Sequence, residues 1–236
     1  MLRSLFAFHL ALLTTLAVFA DTNKLTPEEQ AAGWKLLFDG KTTDGWRKIG
    51  KDEPPGQSWV VEDGTLKLKK GLLKTGGGDI VTAAQFSDFE FSFEWKIAPG
   101  GNSGVKYNLP DPKKGVGCEY QLLDDAKHPD GKAHSRQTGG LYDVLPPAAD
   151  KKLHPPGEWN QSRIIVTGTK VEHWLNGVKS VEFEFGSDAL KAAIAGSKFK
   201  NAAGWGVKTK SPILLQDHGN EVAFRNMKIR AGASDQ

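Results

Sequence analysis

Sulfur is scarce in this sequence: one cysteine, Cys118, and two methionines stand among 236 residues. A single thiol cannot close an intramolecular disulfide, and a cysteine-based zinc site is excluded with it. An excess of one charge is also missing. Thirty-one Lys and Arg against 28 Asp and Glu leave a net +3 with no long single-sign run, so a dedicated binder of nucleic acid or acidic surfaces is not expected. There is no Gly-x-Ser-x-Gly elbow and no phosphate-cradling glycine loop, which removes two common enzymatic signatures.

Long apolar runs are confined to the first twenty residues. Arg3 supplies a positive start, Leu5–Phe19 is almost wholly apolar, and Val18-Phe19-Ala20 ends on a small residue. Met1–Ala20 therefore reads as a secretory signal peptide, since the run is shorter than the roughly 20 residues that span a bilayer. The reading places the protein outside the cytoplasm, periplasmic or extracellular, with no membrane attachment once the leader is removed. Residues 21–236 read as one domain, without repeats, low-complexity segments or a break in composition.

Glycine (27) and tryptophan (seven) are abundant, which favours turns, short strands and aromatic anchors over a helical bundle. Thr26-Pro27-Glu28-Glu29 predicts a short helix stopped at Gly33. A second helix is predicted from Ser187 through Leu190–Ala195 to Gly196. The rest reads as strand and turn. Phe89, Phe91, Phe93, Trp95 and Ile97 alternate with Glu90, Ser92, Glu94 and Lys96, the clearest period-2 segment in the chain. Asp63-Gly64 and Asn176-Gly177 are two-residue hairpin turns, and Gly168 separates Arg163–Thr167 from Val171–Leu175. Ile213–Gln216 and Val222–Ile229 complete the strand set, and Asn102-Ser103-Gly104 reads as a tight polar loop. The Lys127–Gly140 and Leu145–Gly157 stretches are long connections of the kind that carry binding groups. Many short strands over about 200 residues predict an all-β, antiparallel jelly-roll sandwich of two curved sheets.

Polar groups on apolar strands mark the candidate site. Alternation puts Glu119 and Gln121 on one face of their strand, and Gln216 with His218 on another. In Val171–Leu175, His173 points opposite to Glu172 and Trp174. If these strands adjoin in one concave sheet, Glu119, Gln121, His218 and either His173 or Glu172 converge on a polar ligand. Asp124, Asp125, His128 and His134 lie close in sequence but match neither a His-x-x-x-His motif nor an EF-hand loop. Trp46, Trp159 and Trp174 are candidates for stacking on a sugar face, or else core anchors. Cys118 reads as packed rather than reactive.

A set of motifs recurs in order: Leu37-Phe38-Asp39-Gly40 with Asp44-Gly45-Trp46, Phe89-Glu90-Phe91 with Glu94-Trp95, Gly101-Asn102-Ser103-Gly104, Glu119-Tyr120-Gln121-Leu122-Leu123-Asp124-Asp125, Gly140-Leu141-Tyr142, Gly157-Glu158-Trp159-Asn160, His173-Trp174-Leu175-Asn176-Gly177, Leu215-Gln216-Asp217-His218-Gly219 and Val222-Ala223-Phe224-Arg225-Asn226. Together they resemble the 3-keto-disaccharide hydrolase domain family, from about Gly33 to Arg230. The resemblance implies a concanavalin A-like jelly roll, an exported protein and activity on glycosides oxidised at C3, so a carbohydrate partner.

That chemistry makes demands on the residues. A C3 ketone acidifies the C2 hydrogen, and the anomeric leaving group lies β to the resulting carbanion, so elimination breaks the glycosidic bond. Water then adds to the unsaturated product. A base, an enolate stabiliser and an acid are required. His218 is the first candidate base and His173 the second; Glu119 is a candidate acid or metal ligand. Gln121, Gln216, Asn102, Ser103, Tyr142 and Trp159 are candidate substrate contacts. A divalent ion polarising the ketone, held by Glu119 and Asp124, is a further expectation.

Three other readings compete. A retaining β-glucanase needs paired carboxylates, which Glu182-Phe183-Glu184 and Glu90…Glu94 approach without the Glu-x-Asp-x-(x)-Glu arrangement. A non-catalytic, lectin-like sugar-binding module uses the same concave sheet without a base. An interaction domain requires a large exposed apolar patch.

Overall fold

The computed structural model describes residues 22–69 and 77–232. The signal-peptide reading of residues 1–20 lies outside the described residues.

Helix α1 (Pro27–Ala31) starts where expected, and Thr26 and Glu29 form a reciprocal capping box. Strands β1 (Lys35–Leu36), β2 (Trp46–Lys48), β3 (Trp59–Glu62), β4 (Thr65–Leu68) and β5 (Ile80–Thr82) follow. Then come the long strands β6 (Phe89–Ile97), β7 (Asn102–Asp111) and β8 (Val116–Leu123). After two 3-10 turns, β9 (Asn160–Thr167), β10 (Lys170–Leu175) and β11 (Val178–Glu184) form a meander. Helix α2 (Asp188–Ala195) separates it from β12 (Leu214–Leu215) and β13 (Val222–Ala231).

The turn chemistry explains the hairpins. Asp63 and Gly64 both take positive φ (51° and 68°), as do Asn176 and Gly177 (46° and 80°), the twist that matches flanking strands. Ser187 accepts the Leu190 N–H and caps α2. One reading is corrected. Asn102-Ser103-Gly104 is not a loop but the start of β7, because the β6–β7 turn is already closed by Gly100 and Gly101, whose N–H donates to Ala98.

All the described pairings are antiparallel. One sheet runs β11-β10-β9-β6-β13-β4-β3, with β1 also on β13; the other runs β2-β5-β12-β7-β8. A bulge in β13 at Asn226 (φ 50°) splits the strand, so β4 pairs its first half and β1 its second. Glu94 fixes the bulge by accepting from Arg225 Nε (2.7 Å) and Asn226 Nδ2 (2.9 Å).

The core lies between the sheets. Phe91, Phe93 and Trp95 of β6 meet Val105, Tyr107, Cys118, Tyr120 and Leu122 of β7 and β8. Burial pushes the Cys118 thiol above its ordinary range, so it is protonated packing. Polar atoms in this layer are partnered: Trp95 Nε1 donates to Ser162 Oγ (2.8 Å), and Tyr120 Oη to Trp174 O (3.1 Å). The alternation that buries these rings turns the intervening residues of β7 and β8 out of the sandwich. That outward face carries the polar residues.

Candidate active site

Asn102 and Lys106 of β7, Glu119 of β8, and Gln216 and His218 just after β12 line one cavity of about 250 Å³ on the outward face of the five-stranded sheet. The volume suits a single sugar ring rather than an extended glycan, being near the small end of the roughly 300–1,000 Å³ typical of ligand pockets. Register brings them together. Lys106 lies opposite Glu119, and Gly104 opposite Gln121. The Gln216 N–H donates to Gly104 O (2.9 Å), extending the β12 alignment.

Glu119 is 5% exposed. Its carboxylate folds over β7 at Gly104, where an added Cβ would lie 2.5 Å from Oε1. The glycine of the Gly-Asn-Ser-Gly motif thus makes room for the acid, and its own φ is not the reason. Gln121, with its amide nitrogen turned toward acceptors, donates to Glu119 Oε1 (3.1 Å) and Ser103 O (3.2 Å). Lys106 Nζ stands 3.7 Å from Glu119 Oε2 and donates to Gly115 O (3.2 Å). Burial raises the Glu119 pKa above the usual carboxylate range, with Lys106 opposing. Asp79, beside Lys106 and accepting the Asp217 N–H (2.8 Å), is raised by burial in the same way.

The long connections form the walls. The edge of β8 is covered by the segment after the 3-10 turns, where the Tyr142 N–H donates to Glu119 O (3.0 Å) and the ring enters the cavity. Tyr142 Oη donates to Asp130 Oδ2 (2.8 Å). Lys198 and Phe199, after α2, line the cavity beside Tyr142. His218 is exposed at the mouth, its ring edge-on to that of His128 with centroids 6.1 Å apart. Gln216 Oε1 is buried without a hydrogen-bond partner among the described residues.

Residues 33–230 match the 3-keto-alpha-glucoside-1,2-lyase-like domain. The chain belongs to this family. A 3-keto-disaccharide hydrolase of Bacteroides thetaiotaomicron is 34% identical over 242 residues, covering 89% of this chain and 82% of that protein. Two crystal structures from Parabacteroides distasonis, each named as a candidate glycosyl hydrolase, are also similar. One superposes with TM-score 0.80 at 35% identity, covering 90% of this chain and 100% of that one. The other gives 0.64 at 28%, covering 84% and 99%. The jelly-roll expectation holds, and the protein is an enzyme of the glycoside hydrolase type.

Within this 1,2-lyase-like fold, Glu119, Gln216, His218, Asn102 and Tyr142 share the cavity, and Gln121 supports Glu119 from beneath. The other candidates lie elsewhere. His173 points into the core from β10 of the other sheet, fully buried, with Nε2 2.7 Å from Tyr107 Oη and Nδ1 3.3 Å from Gly139 O. Glu172 faces away from the core, paired with Lys170 and Lys179. Neither converges with Glu119, because β10 and β8 belong to different sheets. Trp159 packs under Lys96 and Arg225 on the eight-stranded sheet, where their cationic heads cover it. Ser103 turns inward and donates to Gln216 O (2.9 Å), fixing that residue's backbone. Trp46 is core, and Trp174 Nε1 donates to Glu172.

The residues do not fit the expected divalent ion. Asp124 Oδ1 accepts the N–H of Ala126 and Lys127, and Oδ2 that of Gly100 (2.7 Å), so the side chain is a loop latch. Asp125 is paired with Lys151 (2.6 Å). Among the described residues no three His, Cys, Asp or Glu side chains are grouped to hold a metal. The glucanase carboxylates are likewise engaged: Glu90 with Arg163 and Arg230, Glu182 with Lys170 and Lys179. Among the described residues only Val116 and Val207 are large exposed hydrophobics, far short of the patch an interaction domain needs.

Lys106, Lys198, Asp79 and Phe199 were missed as site residues. Lys106 was within reach: reading β7 as a strand from Asn102 puts it on the same face as Asn102 and Gly104. Lys198 carries no local signal, for it follows a surface helix and enters the cavity only through the path of its loop.

Proposed function

We propose that this protein cleaves glycosides carrying a ketone at C3 by removing the C2 proton and expelling the anomeric substituent. The observation that carries this reading is the convergence of an imidazole, a buried carboxyl and amides in one sugar-sized cavity of a chain from this family. His218, at the mouth, takes the C2 proton on a ring nitrogen. The C2–H electron pair enters the C2–C3 bond, and negative charge develops on the ketone oxygen. Collapse of that enolate forms the C1–C2 double bond as the C1–O bond breaks. Glu119 gives its proton to the departing oxygen; burial keeps it protonated at higher pH than an ordinary carboxyl. Water adding across the C1–C2 bond then gives the hydrolysis product. Gln216 and Asn102 hold ring hydroxyls.

The test compares an ordinary disaccharide with its 3-keto counterpart. Selective cleavage of the keto sugar, with deuterium entering C2 in deuterated water, is the expected result. His218→Ala, folded as judged by its thermal unfolding, should lose at least about 100-fold in kcat, as expected for general base removal. Binding of both sugars without turnover would instead make the cavity a lectin site.

A further inference from the structure

An enolate mechanism needs a group to receive the charge on the ketone oxygen, and the assignments above leave that role open. Two ammonium groups line the cavity, those of Lys106 and Lys198. Lys106 is already engaged by Glu119 and by Gly115 O. Lys198 is not: among the described residues no carboxylate forms an ion pair with it. Its ammonium lies over the faces of Tyr142 (4.1 Å to the centroid) and Phe199 (5.0 Å).

The backbone beneath Lys198 is held on several sides. Its N–H donates to Asp143 Oδ2 (2.8 Å), and Asp143 is itself anchored by Arg136 (2.5 Å). The neighbouring Phe199 N–H donates to Ser197 Oγ (3.0 Å), and the Phe199 ring stacks on Trp205 with centroids 4.9 Å apart. Trp205 Nε1 donates in turn to Gly117 O of β8 (3.0 Å). The segment is thus pinned to the strand that carries Glu119. Lys198 is exposed overall, but its ammonium, held over two rings with no carboxylate in ion-pair contact among the described residues, gives up part of its hydration. A ligand that brings or develops negative charge at that point offsets that loss. Ring stacking alone recovers part of it, and burial has already lowered the Lys198 pKa against the opposing pull of Glu119.

We propose that Lys198 is the catalytic electrophile of this site, its Nζ donating to the C3 oxygen of the bound keto sugar as that oxygen becomes an enolate. The proposal rests on the keto-sugar reading above. The neutral ketone draws little from an ammonium and the enolate much, so the interaction is made mainly in the transition state and appears in kcat more than in KM. No bond to Lys198 forms, and its proton stays on nitrogen or is shared with the enolate until the leaving group departs.

The experiment measures kcat, KM and deuterium exchange at C2 for wild type, Lys198→Met and Lys198→Arg on one 3-keto disaccharide. Lys198→Met keeps the stem that covers Tyr142 and removes the charge. It should lower kcat and C2 exchange together by about 100- to 1,000-fold, the loss seen on removing one oxyanion donor, with KM changed less than about threefold. Lys198→Arg should recover part of both rates. A Met variant with wild-type exchange, or one whose loss lies wholly in KM, overturns the proposal and makes Lys198 a binding residue. Should Lys198→Met not fold, the Arg variant decides: a folded Lys198→Arg with a KM defect alone is the refuting result. If wild type itself neither cleaves nor exchanges the keto sugar, the keto-sugar reading fails first, and that outcome is distinct from a failure confined to Lys198.

Discussion

Acidification offers a test that separates the two histidines singled out in the sequence. His173 is fully buried between the sheets. Its Nδ1 lies against the Gly139 carbonyl, which can only accept, so Nδ1 carries the proton and Nε2 accepts from the Tyr107 hydroxyl. This is the neutral ring. Burial lowers its pKa from 6.5 to about 4. Between those values the unfolded chain binds a proton that the native protein refuses, so stability is fully present above the unfolded pKa and falls as pH drops toward the folded one. At 1.36 kcal/mol per pKa unit the loss is roughly 3 kcal/mol, a large part of a typical folding free energy of about 5–15 kcal/mol. Urea unfolding of wild type and His173→Gln at about pH 7.5 and about pH 4 reads it. Gln keeps an acceptor for Tyr107 and cannot titrate, and the other ionisable groups are common to both proteins. Wild type should therefore lose about 3 kcal/mol more than the variant on acidification. At neutral pH, His173→Gln should turn over keto sugar within about threefold of wild type, because the ring does not reach the cavity. Parallel loss of stability in the two proteins refutes the tautomer argument; a folded but inactive variant returns His173 to the catalytic machinery.

Three further outcomes follow from the geometry. Gly104→Ala places a methyl 2.5 Å from Glu119 Oε1 and 2.9 Å from its Cγ; displacement of the carboxylate by about 1 Å should cost on the order of 100-fold in kcat, and a Gly104→Ala enzyme with full kcat would falsify the placement of Glu119. In the proposed reaction Glu119 acts in its protonated form, and burial raises its pKa, so kcat should decline as pH rises through that pKa, and Glu119→Gln should lower kcat and flatten this alkaline limb in a pH–rate profile. Expressed from Met1 in an exporting bacterial host, the chain should yield a mature protein whose N-terminal sequencing starts at Asp21; a retained Met1 would remove the signal-peptide reading.

Much of the architecture was legible because it is local. The alternation of Phe89–Ile97 decides which β6 side chains enter the core whatever strand lies beside it, and the Asp63-Gly64 and Asn176-Gly177 turns specify their hairpins through two residues of positive φ. Glu119 and Gln121 had to share a face once β8 was a strand, and Ser187 and Gly196 bracket α2 by capping chemistry alone. Alternation in β10 likewise set His173 on one side and Glu172 on the other, although neither side reaches the cavity.

What sequence could not supply was the sheet to which each strand belongs. β10 joins β9 and β11, and through β9 it joins β6, so both of its faces are removed from the cavity on β7, β8 and β12. The same limit hid Lys198, which is 79 positions from Glu119 in the chain and reaches the site because Phe199 wedges against Trp205 and Trp205 bonds to β8. It also made Trp159 look like a sugar platform when Lys96 and Arg225, brought by β6 and β13, cover its ring. Periodicity, turn residues and caps are properties of consecutive amino acids and can be read from their order. Convergence of a cation, a carboxyl and an imidazole is set by strand register and by the paths of loops between distant segments, which depend on how the whole core packs.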